Sequence, residues 1–560
     1  MTRTRTAKYL FFGFAFALLL LRSTAYGQSA SDGFSAVGSN LLRVGAGSTN
    51  DGVNDIMKRY TEEIANARLF FKNLSIGLRY EMDDPSEVGR SFQGLRRRWI
   101  TYRRDKIELQ AGDVTALYGR GLAINLFESR PLNFDAWLDG VAGSYQYDWT
   151  KEESSLRPSL GIHGVAGTLN FYQIQPSTVP DLHVSARSIN GEFGFFKKQL
   201  VLGTGFTQAF TNPLTGKETD RQVNQPDYYV SMHAGAFDLF AQYTDNREII
   251  STLNGKPDSA TNHGSAAYGA ISYASSILGL TFEYKNYQYY TGPTDGPYSK
   301  YFGKLPISNP PEVYKEFTYT SITRTTHAVN FNDEVGMQLE ANITAIPNVT
   351  ITMNGAVASR HNAYGAGIDT VTFQAIRTGT TSILPKFGDL AYYPFWEGFV
   401  EVEYELGELD YIKVFYHRRG DVITYDPNEP ELSDRRRSTT VGAKWQYVTA
   451  PSQSLLAIFE HQWMTDYARV GDNKDFLNEL LTLQYSFDPV ITFGGVFDFS
   501  TEYEEPRHIW PQAFVSTRIG ESHTLLASYG AERGGLNCTG GICRVVPPFN
   551  GLRLTLTSQL

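Results

Sequence analysis

The chain has 560 residues, of which 14% are aromatic and 19% charged, with 34 Tyr, 35 Phe, 51 Gly, two Cys and a formal net charge of −9. That acidity supplies no basic footprint and excludes nucleic acid as a partner class. The length would accommodate several soluble β-sandwich domains, so the pattern along the chain must decide between these and a membrane barrel.

Residues 1–27 read as a signal peptide. Arg3, Arg5 and Lys8 form a basic head, residues 9–21 are apolar and uncharged, and Ala25-Tyr26-Gly27 offers a cleavage site before Gln28. The apolar run is too short for a membrane helix, and no Cys near the cut suggests a lipid anchor. Losing Arg3, Arg5, Lys8 and Arg22 would take the formal charge from −9 to −13.

Residues 28–67 are read as an N-terminal segment that is flexible and forms either a plug or a first strand. The stretch 51–67 would be either an amphipathic helix, with Ile56, Tyr60 and Ile64 on one face, or a poor strand. As a helix it would plug a lumen. The first barrel strand is expected inside 69–81, and the barrel is assigned to 68–560.

A basic stretch follows, with Arg96, Arg97, Arg98, Arg103 and Arg104 around Trp99, Ile100 and Tyr102. On a lipid-facing surface at the bilayer midplane an Arg costs about 2–4 kcal/mol. These residues are therefore expected at strand ends near headgroups, or inside a lumen.

From here strict alternation dominates. Leu278, Leu280, Phe282 and Tyr284 alternate with Gly279, Thr281, Glu283 and Lys285. Val335, Met337, Leu339, Ala341 and Ile343 alternate with Gly336, Gln338, Glu340, Asn342 and Thr344, and Val349, Ile351 and Met353 continue the rhythm. A period of two sustained over about ten residues matches a tilted membrane-crossing strand. Sandwich strands average nearer five or six. Tight turns are expected at Gly235-Ala236, Ala274-Ser275-Ser276, Ile346-Pro347-Asn348, Gly407-Glu408, Phe487-Asp488-Pro489 and Gly520-Glu521. Long polar loops are expected near 249–264, 289–316, 360–391, 418–437 and 533–550. The pattern predicts an all-β chain: one large antiparallel transmembrane β-barrel of roughly 20–24 strands, with short periplasmic turns and long extracellular loops.

Chemistry-bearing residues are sparse. His263-Gly264-Ser265 resembles the His-x-Ser pair of outer-membrane phospholipases, but one tripeptide recurs by chance, and no partner for a triad is legible. On one strand Glu401, Glu403 and Glu405 share a face, and Lys413 and His417 share a face on the next. Across the hairpin these charges are expected to meet in the lumen, either bordering a solute path or pairing to brace the wall. Cys538 and Cys543, in an exported chain, are expected to form a disulfide that pinches the last loop. Residues 551–560 alternate Leu552, Leu554 and Leu556 with Arg553, Thr555 and Thr557, as a strand that closes the barrel would. No cofactor or metal motif is present.

Ala111-Gly112-Asp113-Val114-Thr115-Ala116-Leu117-Tyr118-Gly119-Arg120-Gly121-Leu122, Asp333-Glu334-Val335-Gly336-Met337-Gln338-Leu339-Glu340 and the loop from Cys538 to Phe549 resemble uncharacterised long Tyr/Gly-rich outer-membrane barrels of Bacteroidetes-type bacteria. The resemblance implies a barrel and brings no activity. The expectations are therefore general: a bacterial outer-membrane protein exported with a cleaved signal peptide, in contact with outer-membrane lipid, barrel-insertion machinery and envelope proteins. A porin-like channel or partner-assisted transporter for small solutes comes first, a structural barrel with a filled lumen second, and a barrel enzyme such as a lipid hydrolase third.

Overall fold

The computed structural model describes residues 33–559, apart from 51–54, 88–90, 130–133, 150–155, 174–181, 214–220, 254–255, 293–301, 369–374, 431–432, 470–473, 488 and 540–541. The signal peptide assigned to 1–27 lies outside the described residues.

Twenty-four antiparallel strands form one closed sheet. The first eight are β1 Phe34–Asn50, β2 Asp55–Phe71, β3 Leu74–Asp83, β4 Phe92–Arg104, β5 Ile107–Val114, β6 Phe134–Asp148, β7 Ser159–Gln173 and β8 Leu182–Phe195. Then come β9 Leu200–Pro213, β10 Arg221–Ala234, β11 Phe237–Leu253, β12 Lys256–Ala274, β13 Leu278–Gln288, β14 Glu334–Ile346, β15 Val349–Ser359 and β16 Phe395–Glu405. The last eight are β17 Tyr411–Val422, β18 Arg435–Ala450, β19 Gln453–Asp466, β20 Asp475–Phe487, β21 Ile491–Ser500, β22 Ile509–Ile519, β23 His523–Glu532 and β24 Phe549–Gln559. Each pairs with its neighbours in sequence, and β24 closes on β1 in a register running from Ser39↔Gln559 to Ser48↔Asn550.

Closure leaves no strand edge unpaired, as a lipid environment requires. The outward residues are mostly apolar and exposed: Phe282, Leu339, Met353 and Leu483 belong to this belt. The inward ones are mostly polar. An apolar outside and a polar inside define a transmembrane barrel rather than stacked sandwiches.

Two expectations are corrected. Residues 34–67 are wall, not a segment ahead of it: β1 and β2 pair along their whole length, from Phe34↔Phe71 to Asn50↔Asp55. The barrel thus begins at Phe34, and 69–81 holds the end of β2 and most of β3. Within the loop expected at 249–264, residues 249–253 and 256–264 are strand, because β11 and β12 continue upward as a paired ribbon to Leu253↔Lys256. The expected turns between β10 and β11, β12 and β13, β14 and β15, β16 and β17, and β22 and β23 all join adjacent strands on the side where β1 begins and β24 ends.

Candidate functional site: the loop folded into the lumen

The inner faces of the strands divide into two levels. On β19, going up from the turn, inward Ser454, Leu456 and Ile458 are half-buried, whereas Glu460, Gln462, Met464 and Asp466 are buried. On β12, Ala274 is exposed, Ser272 and Ala270 are half-buried, and Tyr268, Ala266 and Asn262 are buried. The half of the lumen next to the short turns is open, and the half next to the long loops is packed.

The packing comes from the loop between β13 and β14. Its residues Leu305 and Ile307 join one apolar cluster with Val114 of β5, Leu138 of β6, Val184 of β8, Ala209 of β9 and Val223 of β10. Further along, Phe317, Tyr319 and Ile322 cluster with Phe399 of β16 and Phe415 of β17. Since β5 and β17 are opposite in a ring of 24, this inner loop spans the bore. A second segment, 115–127, supports it. Asn125 and Asn309 exchange side-chain-to-carbonyl hydrogen bonds of 3.0 and 2.8 Å, and Asn125 N donates to Ile307 O at 2.7 Å. Gly119 and Gly121, at φ of 57° and 82°, make the tight course of this segment possible. A Cβ on Gly121 would lie 2.5 Å from the Asn125 side chain.

Ionic contacts fix the inner loop to the wall. One short helix, Thr320–Thr323, presents the backbone N–H groups of Thr320 and Ser321 to the buried Glu460 carboxylate at 3.0 and 2.7 Å. Arg324 pairs with Asp498 of β21 at 2.6 Å. Arg419 donates to the carbonyls of Ile322 and Thr325. His327 lies between Asp421, at 3.0 Å from Nδ1, and Glu334, at 3.4 Å from Nε2, and its ring stacks on Phe395 at 4.1 Å. Glu334 also holds Lys285 at 2.6 Å. Burial disfavours the His327 cation, but Glu334 and Asp421 outweigh that and raise it to about 9. At the other end of the loop, Glu248 binds Arg221 at 2.5 Å and accepts from Gly303 N at 3.1 Å, while Arg221 donates to Gly303 O.

The charges read from the sequence fall into this frame unevenly. Glu403 faces Lys413 in register at 2.5 Å, and Glu401 lies 3.7 Å from the same ammonium while accepting from Tyr319 of the inner loop. Glu405 is exposed at the turn end. His417 is opposite Phe399, and its acid is the fully buried Glu397, 3.2 Å away, which Arg419 also approaches at 3.5 Å. Sequence reading missed Glu397 and Arg419. Arg419 extends the alternation of its strand one step past His417, whereas Glu397 lies two steps before Glu401, beyond the apolar Phe399 that interrupts the run of acids.

The five arginines do not form one patch. A bulge opposite Arg79 and Tyr80 turns both Arg96 and Arg97 inward. There Arg96 meets Glu81 at 2.8 Å, and Arg97 meets Glu128 at 3.5 Å and Asp135 at 3.7 Å, over the Trp137 ring. Arg98 points outward beside Asp139 at 3.6 Å, and Arg103, which pairs with Glu108 at 2.6 Å, and Arg104 flank the β4–β5 turn. His263 and Ser265 lie on the outer wall opposite Arg247 and Asp245, and no hydrogen bond joins the two among the described residues. Cys538 and Cys543 are backbone register partners in a hairpin, Gly535–Thr539 with Ile542–Val546, in the last loop.

No curated protein matches the sequence. Among solved structures the chain is similar to the siderophore receptor PirA from Pseudomonas aeruginosa, at 7% identity over 95% of this chain and 81% of that one, with a TM-score of 0.44. It is also similar to the translocation pore of the P pilus usher PapC, at 8% identity, 94% and 99% coverage and a TM-score of 0.37. Pseudomonas aeruginosa OccK11 follows at 11% identity, 69% and 90% coverage and a TM-score of 0.34. Likenesses this distant carry no argument about function. The model of a family of unknown function, DUF6029, matches residues 61–560, and the chain belongs to that family.

Proposed function

We propose that the chain is an outer-membrane channel for small polar solutes in which the inner loop is the constriction. The observation that supports this reading is the division of the lumen. An open half, lined by Glu283, Glu340, Glu401, Glu403 and Lys413, ends against a loop that ion pairs tie to β14 and β21 and that apolar packing and the Gly303 backbone tie to β5–β11. The acids would favour cations in a water-filled vestibule. Export with cleavage after Gly27, residence in outer-membrane lipid, assembly by insertion machinery that reads 551–560, and a Cys538–Cys543 disulfide belong to the same proposal.

The rival reading is a structural barrel whose loops bind envelope partners. It is favoured by the pairing of Glu401 and Glu403 with Lys413, which leaves these carboxylates engaged with the wall. Single-channel recording in planar bilayers separates the two. The purified barrel is compared with a variant in which residues 305–330 are replaced by a short Gly-Ser linker. The channel reading expects the variant to conduct several-fold more than the intact chain. A variant that assembles, shifts on heating in a gel as closed barrels do, and conducts no more than the intact chain would overturn it.

A further inference from the structure

The next long loop, residues 360–394 between β15 and β16, takes the opposite course. Outward-pointing Val335 of β14 and Ser359 of β15 are 0% and 1% exposed, so something covers the outside of the wall there. The cover is this loop. His361, Asn362 and Ala363 are buried at its start, and His361 is fixed by Asp333 at 2.9 Å and by outward Asn286 of β13 at 3.0 Å. From this base the chain steps down the outer face of β13, from Asn286 at Ser382 to Tyr284 at Ile383, and returns by Lys386 to the height of Ser359 on β15.

Three features of this descending segment belong together. Ile383, Leu384 and Phe387 are 66%, 61% and 58% exposed, a cluster of large apolar side chains that the described residues leave uncovered. Three consecutive carbonyls in the same segment are each satisfied by a side chain: Ser382 O accepts from Asn286 Nδ2 at 2.6 Å, Ile383 O from the Tyr284 hydroxyl at 2.8 Å, and Leu384 O from Thr381 Oγ1 at 2.8 Å. The next residue, Pro385, has no N–H to satisfy, and Lys386 N donates to Ser359 Oγ at 2.9 Å. A loop in water has no need of such provision, because water serves its carbonyls. In hydrocarbon a carbonyl must find its donor within the protein, and these three do.

The height agrees. Tyr284 is the sixth residue up β13 from Leu278, which at the rise and tilt of barrel strands puts it roughly 15 Å above the turn, in the outer half of an apolar band about 25 Å tall. Its neighbours on the wall, Phe282 and Leu339, are apolar and exposed. The segment's one charge, Lys386, sits after the apolar pair, near the Tyr392 ring at 5.9 Å, where a basic side chain can reach up to headgroups.

We infer that residues 382–387 form a lipid-immersed foot: an extracellular loop that dips beside the barrel into the hydrocarbon of the outer leaflet and anchors that flank of the protein there. The occupant of this apolar surface is membrane lipid, not a protein partner and not the inner loop's solute. The inference does not depend on whether the lumen conducts.

The test places a nitroxide at Leu384→Cys in a Cys538→Ser, Cys543→Ser background, in vesicles of phosphatidylcholine and phosphatidylglycerol. Collision with oxygen is compared with collision with a water-soluble nickel chelate. Leu339→Cys on the belt and Tyr503→Cys, 72% exposed on another extracellular loop, give the lipid and water references. The label at 384 is expected to favour oxygen over nickel as position 339 does, and several-fold more than position 503. A nickel accessibility equal to that at 503 overturns the inference. So does a label at 384 that, in native membrane fragments, is immobilised and shielded from both reagents, since a protein would then cover the surface. Ile383→Cys repeats the measurement should the first variant fail to assemble.

Discussion

The inner loop and the outer loop leave the same rim of the barrel, two strands apart, and fold in opposite directions. The inner one carries Lys315, Arg324 and His327, and the wall inside meets them with Glu340, Asp498, Asp421 and Glu334. The outer one carries Ile383, Leu384 and Phe387 in a segment with no acid, and the wall outside meets its carbonyls with Tyr284 and Asn286. Loop length and composition near the rim do not set the direction. What sets it is whether the loop's polar groups find charged partners or neutral caps, which is a property of the wall as much as of the loop.

The comparison breaks most readily at Arg324. Its partner Asp498 has only 4% of its side chain exposed, and removing one member of a buried pair costs about 3–5 kcal/mol because the other charge is stranded. Arg324→Ala should therefore free the inner loop, seen as protease cleavage within 317–327 that the intact protein resists. Unchanged protection would mean the apolar contacts of Phe317 and Ile322 hold the loop without the ions.

His327 sharpens the same side through pH. Its folded value, about 9, lies above its ordinary 6.5, so its contribution is complete below 6.5 and is lost as pH climbs through 9. At 1.36 kcal/mol per unit the loss amounts to about 3 kcal/mol. Loop protection should fall between pH 7 and 10 in the intact protein, with a much flatter profile in His327→Gln. Equal profiles would remove His327 from the latch.

On the outer side the effect is smaller. Leu384→Ser removes one apolar side chain from lipid, worth about 1.5–3 kcal/mol at full burial and less at a partly covered site. It should leave barrel melting unchanged and raise hydrogen exchange in residues 381–387 of the reconstituted protein. Raised exchange in the inner loop as well would show that the two loops are not independent.

The fold was largely legible because membrane strands repeat every second residue, and β13 to β16 and β24 keep that period cleanly. Residues 34–67 were misread for a definite reason. Ile56, Tyr60 and Ile64 are spaced by four, which puts them on one face of a helix and equally on one face of a strand. In β2 both faces mix charge with apolar residues, as Arg59 and Glu63 beside Leu69 and Phe71 show. The site was legible only in part. Alternation located Glu401, Glu403 and Lys413, but nothing in a period of two tells that residues 302–333 turn inward, because that depends on partners such as Glu460 and Asp498, more than a hundred residues away.

The smallest expected effect bears on the open half of the lumen. Glu401 and Glu403 share Lys413, and all three side chains are partly exposed, so the pairs are worth about 0.2–1 kcal/mol each. Replacing Glu401, Glu403 and Glu405 with Gln should therefore shift the melting temperature little. If the vestibule conducts, the same change removes charge from a water-filled wall and lowers cation preference in a reversal-potential measurement. The drop should be largest at low salt, because the field is screened within ~10 Å at 0.1 M. A triple variant with unaltered selectivity and a clearly lowered melting temperature would show that these acids brace the wall and border no path, and the structural reading would replace the channel.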